Sequence, residues 1–254
     1  MCGRLVIDLS PEMITEIYGI IKKIDRELNP RYNVVPSQTI PIVREDVEGS
    51  RELTFVRWGL IPSWAKDISI GNSLINARSE TAAEKPSFRS AFKRRRCVIP
   101  SGGFYEWQRQ DGKRKQPWYF RMPDGSPVSI AGLWEHWQGS DGQVIIESCS
   151  ILTTSANELM APIHDRMPVI LSYEDHATWL NPKLTDGAPL KALCRPCPSD
   201  LLSVYPVSSR VNSPKNDTAD CIKPIRIFGT AKGQVKMSDD FDLLPDDILE
   251  EFYK

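Results

Sequence analysis

Histidine is scarce: His136, His164 and His176 are the only three in 254 residues. A Cys/His zinc site has almost nothing to draw on. The one close cysteine pair, Cys194-Arg-Pro-Cys197, lacks the second pair or the nearby histidines that tetrahedral zinc requires. It also lacks the strand–CxxC–helix setting of a thioredoxin-like motif, with Pro196 and Pro198 interrupting, and is expected to be structural. The remaining cysteines, Cys2, Cys97, Cys149 and Cys221, show no disulfide-like spacing. Missing too are an apolar run long enough to cross a bilayer and a basic–apolar leader with a cleavage site. A soluble protein in a reducing compartment is expected, needing no membrane, metal or cofactor.

Net charge is also nearly absent, at −1. Its distribution is uneven. From Asp239 onward the chain holds seven acidic residues against Lys254 alone, so the remainder has 31 basic and 26 acidic residues and carries +5. Basic residues cluster in Lys85–Arg96, which is consistent with a phosphate-facing surface or with a solvated helix. The chain is expected to form one domain over residues 1–237, followed by an acidic tail over 238–254 that ends in a short helix at Asp246–Phe252.

What is present is 41% apolar residues and 26% charged ones, enough for a full core. Ser10-Pro11-Glu12 reads as an N-cap with proline in the first turn, followed by a helical stripe of Met13, Ile14, Ile17, Ile21 and Ile24. Pro30–Pro36 reads as an extended loop pinned by prolines. Branched and aromatic residues predict strands at Thr54–Ile61, Cys97–Ile99, Gly103–Trp107, Trp118–Met122, Val128–Trp137 and Val144–Thr153. Short helices are expected at Pro86–Arg94, Asn157–Ala161, Glu174–Leu180 and Pro189–Leu193. Consecutive hairpin-like strands favour an α+β domain on antiparallel sheet over βαβ repeats.

Four segments could carry chemistry. The chain opens Met-Cys-Gly-Arg. Were Met1 removed, Cys2 would offer a free α-amine and a thiol on adjacent carbons, able to condense with an aldehyde into a thiazolidine. Ordinary values near ~8 for the amine and ~8.5 for the thiol make both workable at neutral pH. Asn76 and Arg78 stand two apart on an extended segment and share a face. One could orient a sugar or a backbone carbonyl while the other meets a phosphate. In Gly102-Gly103-Phe104-Tyr105-Glu106-Trp107, alternation puts Glu106 beside Phe104 and away from Tyr105 and Trp107. A carboxyl on a partly apolar face should have a raised pKa, as a general acid at neutral pH requires. His164, in His-Asp-Arg-Met-Pro, is the histidine in the most motif-like setting; a loop histidine packed on Asp165 is the plainer alternative.

Met-Cys-Gly-Arg, PRYNVVP, WGLIPSWAKD, INARSET, GGFYEW, HDRMPVIL and VSSRVNSPKND occur in this order between Met1 and Asp217. Together they resemble the SRAP family, the SOS-response-associated peptidases that act as abasic-site processing proteins. The resemblance implies a compact α+β domain with an open, barrel-like core of mostly antiparallel sheets, flanking short helices and a basic groove. It further implies covalent crosslinking to abasic sites in single-stranded DNA through Cys2, with Asn76, Glu106 and His164 as active-site companions. Arg4, Arg78 and Arg166 match positions near DNA phosphates, Gly3 would let the backbone approach the lesion closely, and Trp64 matches a base-stacking aromatic. Pro86 stands where relatives often carry arginine, with Lys85 or Arg89 as substitutes. A monomer acting on chromosomal DNA is expected, cytoplasmic, or nuclear in a eukaryote. Two other readings fit parts of this pattern. An N-terminal-nucleophile glutamine amidotransferase also begins Met-Cys-Gly, and a single-strand binding module would leave Cys2 incidental.

Overall fold

The computed structural model describes residues 2–21, 27–110, 115–139, 142–185 and 187–225. Its strands are β1 (Leu5–Ile7), β2 (Arg31–Val34), β3 (Thr39–Glu45), β4 (Arg51–Trp58), β5 (Asn76–Arg78), β6 (Arg96–Ser101), β7 (Gly103–Arg109), β8 (Lys115–Arg121), β9 (Val128–Gln138), β10 (Ile145–Ser155), β11 (Arg166–Pro168) and β12 (Ser203–Pro206). Its α-helices are short: α1 (Pro11–Tyr18), α2 (Ser79–Ala82), α3 (Arg89–Arg94), α4 (Asp175–Leu180) and α5 (Gly187–Leu193).

Strand pairing builds the barrel-like core. β3 pairs with β4, β4 with β10, β10 with β9, β9 with β6, and β6 returns to β3, which closes a five-strand circuit. Most pairs are antiparallel; β10 runs parallel to β4 and to β5. A second sheet has the order β12-β8-β7-β1-β2. Alternation assigns the two faces of the barrel strands. Ile40, Ile42, Cys97, Ile99, Ile130 and Ile151 pack with Leu5, Val34, Phe104 and Phe120 of the second sheet. Val43, Val98, Ala131, Leu133 and Leu152 instead meet Ile14, Tyr18, Phe92, Trp179 and Leu190 of the helices. Cys2 lies in the first of these two cores, fully buried.

All six expected strands are present with small end shifts. Helix α1 starts as its Ser10 cap predicts, with the Ser10 hydroxyl accepting from Met13 N at 3.2 Å. It stops earlier than the apolar stripe suggests. Gly19 adopts φ 64° as a left-handed C-cap, leaving Ile21 exposed, while Ile24 lies outside the described residues. Asn157–Ala161 forms turns and no helix. Asn157 Oδ1 accepts from Met160 N at 2.9 Å, as at a helix start, but Pro162 disfavours helical geometry at Ala161.

Residues Met1–Pro224 form one compact unit. The expected boundary at 237, the acidic tail and its helix lie outside the described residues. No helix among the described residues is long and apolar enough to cross a membrane.

Candidate active site

Each of four separate segments delivers one side chain to the same end of the first core. β1 carries the Cys2 end of the chain, held by Leu5 opposite Phe104 and by Tyr105 N donating to Arg4 O at 3.1 Å. β5 carries Asn76, held on β10 opposite Ile151. β7 carries Glu106, opposite Trp118 of β8. The turn before β11 carries His164, whose backbone N donates to Met160 O at 2.9 Å.

The links between them are specific. Asn76 Nδ2 donates to the Cys2 carbonyl at 2.9 Å. Asn76 Oδ1 is buried and accepts no hydrogen bond from the described residues. Glu106 is only 3% exposed, and burial pushes its carboxyl up while the His164 charge opposes that rise. Phe104 stacks on Phe120 with centroids 5.0 Å apart on the same face, whereas Tyr105 and Trp107 lie on the other, as alternation predicts.

The Cys2 thiol departs from its sequence expectation. Burial pushes it far above the ordinary thiol value and the nearby Glu106 charge adds to the rise. Burial therefore favours the thiol over the thiolate, and a base at the moment of reaction would help the sulfur add.

His164 is half-buried. Its Nδ1 lies 2.8 Å from Asp165 Oδ1 and accepts from Arg166 N at 3.0 Å. These two contacts ask for opposite protonation of one nitrogen. The Arg166 N–H suits the neutral ring and Asp165, 86% exposed, suits the charged one.

The residues matched to DNA contacts divide. Trp64 is 57% exposed on a turn braced by Trp137 Nε1 donating to Ala65 O at 2.8 Å. Arg78 is exposed at the start of α2. Gly3 is half-buried beside Cys2. Arg4, by contrast, turns to the Trp107 face, away from Glu106. It donates to Asn33 Oδ1 and to Val211 O, with its guanidinium 5.4 Å from the Trp107 ring centroid. Arg166 forms a two-point ion pair with Glu80 and donates to Thr153 O at 2.7 Å. Neither arginine is a free cation.

The basic run needs a sharper correction. Lys85, Arg89, Lys93 and Arg94 are exposed, as is Pro86, but Arg95 pairs with Glu135 at 2.7 Å and Arg96 is 2% exposed. The Arg96 guanidinium donates to the carbonyls of Phe92, Lys93, Trp179, Asn181 and Leu184. It ties α3 to α4 and meets no phosphate.

Sequence reading missed several supports. Asn33 donates to Val211 O, Ser213 O and Asn216 O, and Asp217 accepts from the backbone of Tyr32 and Asn33, so PRYNVVP and VSSRVNSPKND form one knot. Asn157 Nδ2 donates to Cys197 O at 3.0 Å. The CxxC segment thus braces the turn that carries His164, in keeping with a structural role. Gln108, on the face shared with Glu106, could have been found by alternation alone. Two clefts lie elsewhere, about 770 Å³ by Arg4 and Trp107 and about 820 Å³ by Ala65 and Trp137.

A family model for SOS response associated peptidase (SRAP) matches residues 1–214. The abasic site processing protein YoqW of Bacillus subtilis (strain 168) is 46% identical over 224 residues, covering 88% of this chain and 99% of that protein. The abasic site processing protein HMCES of Xenopus tropicalis is 31% identical over 267 residues, covering 89% of this chain and 78% of that protein. An X-ray structure of a Bacteroides thetaiotaomicron protein superposes with a TM-score of 0.79 at 28% identity, covering 89% of this chain and all of that one.

Proposed function

The chain belongs to the SOS response associated peptidase (SRAP) family, and from that premise we propose that it processes abasic sites by trapping them covalently in single-stranded DNA. One observation carries the reading: Cys2 is held between Asn76 and Glu106, with His164 close enough for its charge to act on that carboxyl. Such an arrangement suits the capture of a sugar aldehyde by a chain terminus.

Hydrolysis of the Met1–Cys2 peptide bond consumes one water and frees the Cys2 amine. The family description as a peptidase favours self-processing at the same site. The abasic deoxyribose opens from its hemiacetal by proton exchange, for which His164 is the candidate. The amine then adds to C1′ to give a carbinolamine. Loss of water, with the proton supplied by Glu106, leaves an iminium. The Cys2 sulfur adds to the same carbon while its proton passes to the Glu106 carboxylate, closing a thiazolidine. Aldehyde and aminothiol give thiazolidine and one water, so the sequence balances.

Raised pKa values of Cys2 and Glu106 suit these roles. A neutral Glu106 can donate at the dehydration step and then receives the thiol proton. The amine captures; the sulfur removes the iminium that would otherwise acidify C2′ and invite strand cleavage. Holding both nucleophiles on one residue gives the second step its proximity advantage. Asn76 Oδ1 is available to orient the freed amine. Exposed Trp64 suits sequence-tolerant stacking, and exposed Arg78, Lys85 and Arg89 suit phosphate contact.

The test is denaturing electrophoresis of the purified protein with uracil-excised single-stranded DNA, alongside Cys2→Ala and an intact-mass measurement. A heat-stable adduct of the wild type, Met1 loss and no adduct with Cys2→Ala are expected. Wild-type adduct yields from Cys2→Ala would exclude the mechanism. Met1 loss in Asn76, Glu106 or His164 variants would assign processing to a separate aminopeptidase. Ammonia release from glutamine would favour the amidotransferase reading instead.

A further inference from the structure

Gln108 stands two residues beyond Glu106 on β7, so the two side chains share a face. Its Oε1 accepts from Trp118 Nε1 at 3.1 Å, and its Nε2 donates to Pro162 O at 3.1 Å. An indole N–H only donates and a peptide carbonyl only accepts, so these partners fix which way the amide points. Trp118 is the cross-strand partner of Glu106 and packs against the core that contains Cys2. Pro162 lies two residues before His164, within a turn where Ile163 N and His164 N both donate to Met160 O. The other end of that turn is anchored through Asn157 to Cys197. Gln108 therefore joins the strand of Glu106 to the turn of His164.

We infer that Gln108 is a positioning residue that sets the separation of the His164 imidazole from the Glu106 carboxyl, and so governs proton exchange at the site. It acts through Pro162 and touches no reacting atom. The base of the turn is held by Ala156 N donating to Asp165 O at 3.1 Å and by β11 on β10, while its proline contributes no N–H, so loss of this tie lets the Pro162 tip shift and carry the His164 ring with it. The kinetic part of the claim rests on the function proposed above; the geometric part does not.

The deciding variant is Gln108→Glu. It keeps the shape and the acceptor for Trp118 but cannot donate to Pro162 O. Gln108→Ala removes both contacts. Two measurements are paired. The first is the single-turnover rate of adduct formation on abasic single-stranded DNA across roughly pH 5–9, the span containing the reference values of histidine and the α-amine. The second is the titration of the His164 ring by NMR, which needs no DNA. Gln108→Glu sets a carboxylate against the Pro162 carbonyl and should slow capture by at least about five- to tenfold; the charge-free Gln108→Ala should slow it by about that much, on the scale of a neutral hydrogen bond, shift the pH profile, and move the His164 titration midpoint. In a His164→Ala background it should cause no further slowing. Wild-type rates with an unmoved His164 midpoint would overturn the inference, and so would equal slowing in both backgrounds. If the wild-type protein forms no adduct, the functional reading fails, and an unmoved His164 midpoint would still overturn the role of Gln108.

Discussion

The Asn76 amide reaches across from β5 to donate to the Cys2 carbonyl at 2.9 Å, joining the barrel to the terminus that the second sheet holds. This contact fixes the Cys2 backbone without using its nitrogen or sulfur. Asn76→Ala should lower the adduct rate about fivefold through loss of one hydrogen bond. Asn76→Asp should be worse, because a carboxylate replaces the donor and faces a carbonyl. Single-turnover gels on abasic single strands measure both.

Cys2→Ser keeps the amine and removes the sulfur. A borohydride-trappable Schiff base should still form, while heat-stable adduct falls and strand nicking rises. Equal stability of the serine and cysteine adducts would show that ring closure by sulfur is not the protecting step.

Glu106 has a carboxyl pushed up by burial, and the sign of its pH effect follows. A group whose native pKa is raised binds its proton more tightly when folded. Its contribution is complete below the unfolded value near ~4.3 and is lost as pH rises through the native value. Glu106→Gln has no such loss. The variant should match the wild type in denaturant midpoint at acid pH and exceed it at neutral pH, while its adduct formation collapses. A wild-type midpoint that rises over this window would contradict the burial of the charge.

Glu80 occupies both arms of Arg166. Glu80→Gln should release a cation and strengthen single-strand binding at low salt, steepening the slope of log affinity against log salt by about 0.7. An unchanged slope in filter-binding or anisotropy titrations assigns Arg166 a purely structural role.

Arg96→Ala removes donors from five carbonyls. Water entering the space left by the side chain can satisfy part of these acceptors, so the loss is expected at about 3–5 kcal/mol, the scale of a broken buried charged network. That corresponds to roughly 10 °C in Tm, with the adduct rate of the folded fraction unchanged. Calorimetry and an active-site count check the pair.

The strongly periodic strands were legible because alternation and β-branching coincide there. β3 was not, since Pro41 sits inside it and proline argues against a central strand. The structure resolves the conflict: β3 pairs with β6 only at Val43 opposite Val98, so at Pro41 one side of the strand carries no ladder. β1 and β5 have three residues each, too few for a period to emerge, and long-range pairing alone defines them. In the site, motif matching drew together Cys2, Asn76, Glu106 and His164, and alternation placed Glu106 correctly. Burial of the thiol was not readable, because it depends on two sheets meeting around Cys2. Nor could the sequence tell a phosphate-facing arginine from Arg96, whose carbonyl partners are Phe92 and Lys93 beside it together with Trp179, Asn181 and Leu184, 83 to 88 residues further along the chain.

The closed circuit of barrel strands has a consequence for biosynthesis. Cys2 is made long before the residues that surround it, and β5 and the His164 turn are fixed in place only after β10 has been made, since β5 and β11 both pair with it. During translation the exposed terminus is an ordinary cysteine. On the proposed mechanism, the acid–base help of Glu106 and His164 reaches that terminus only with the finished barrel, so full reactivity is a property of the completed fold.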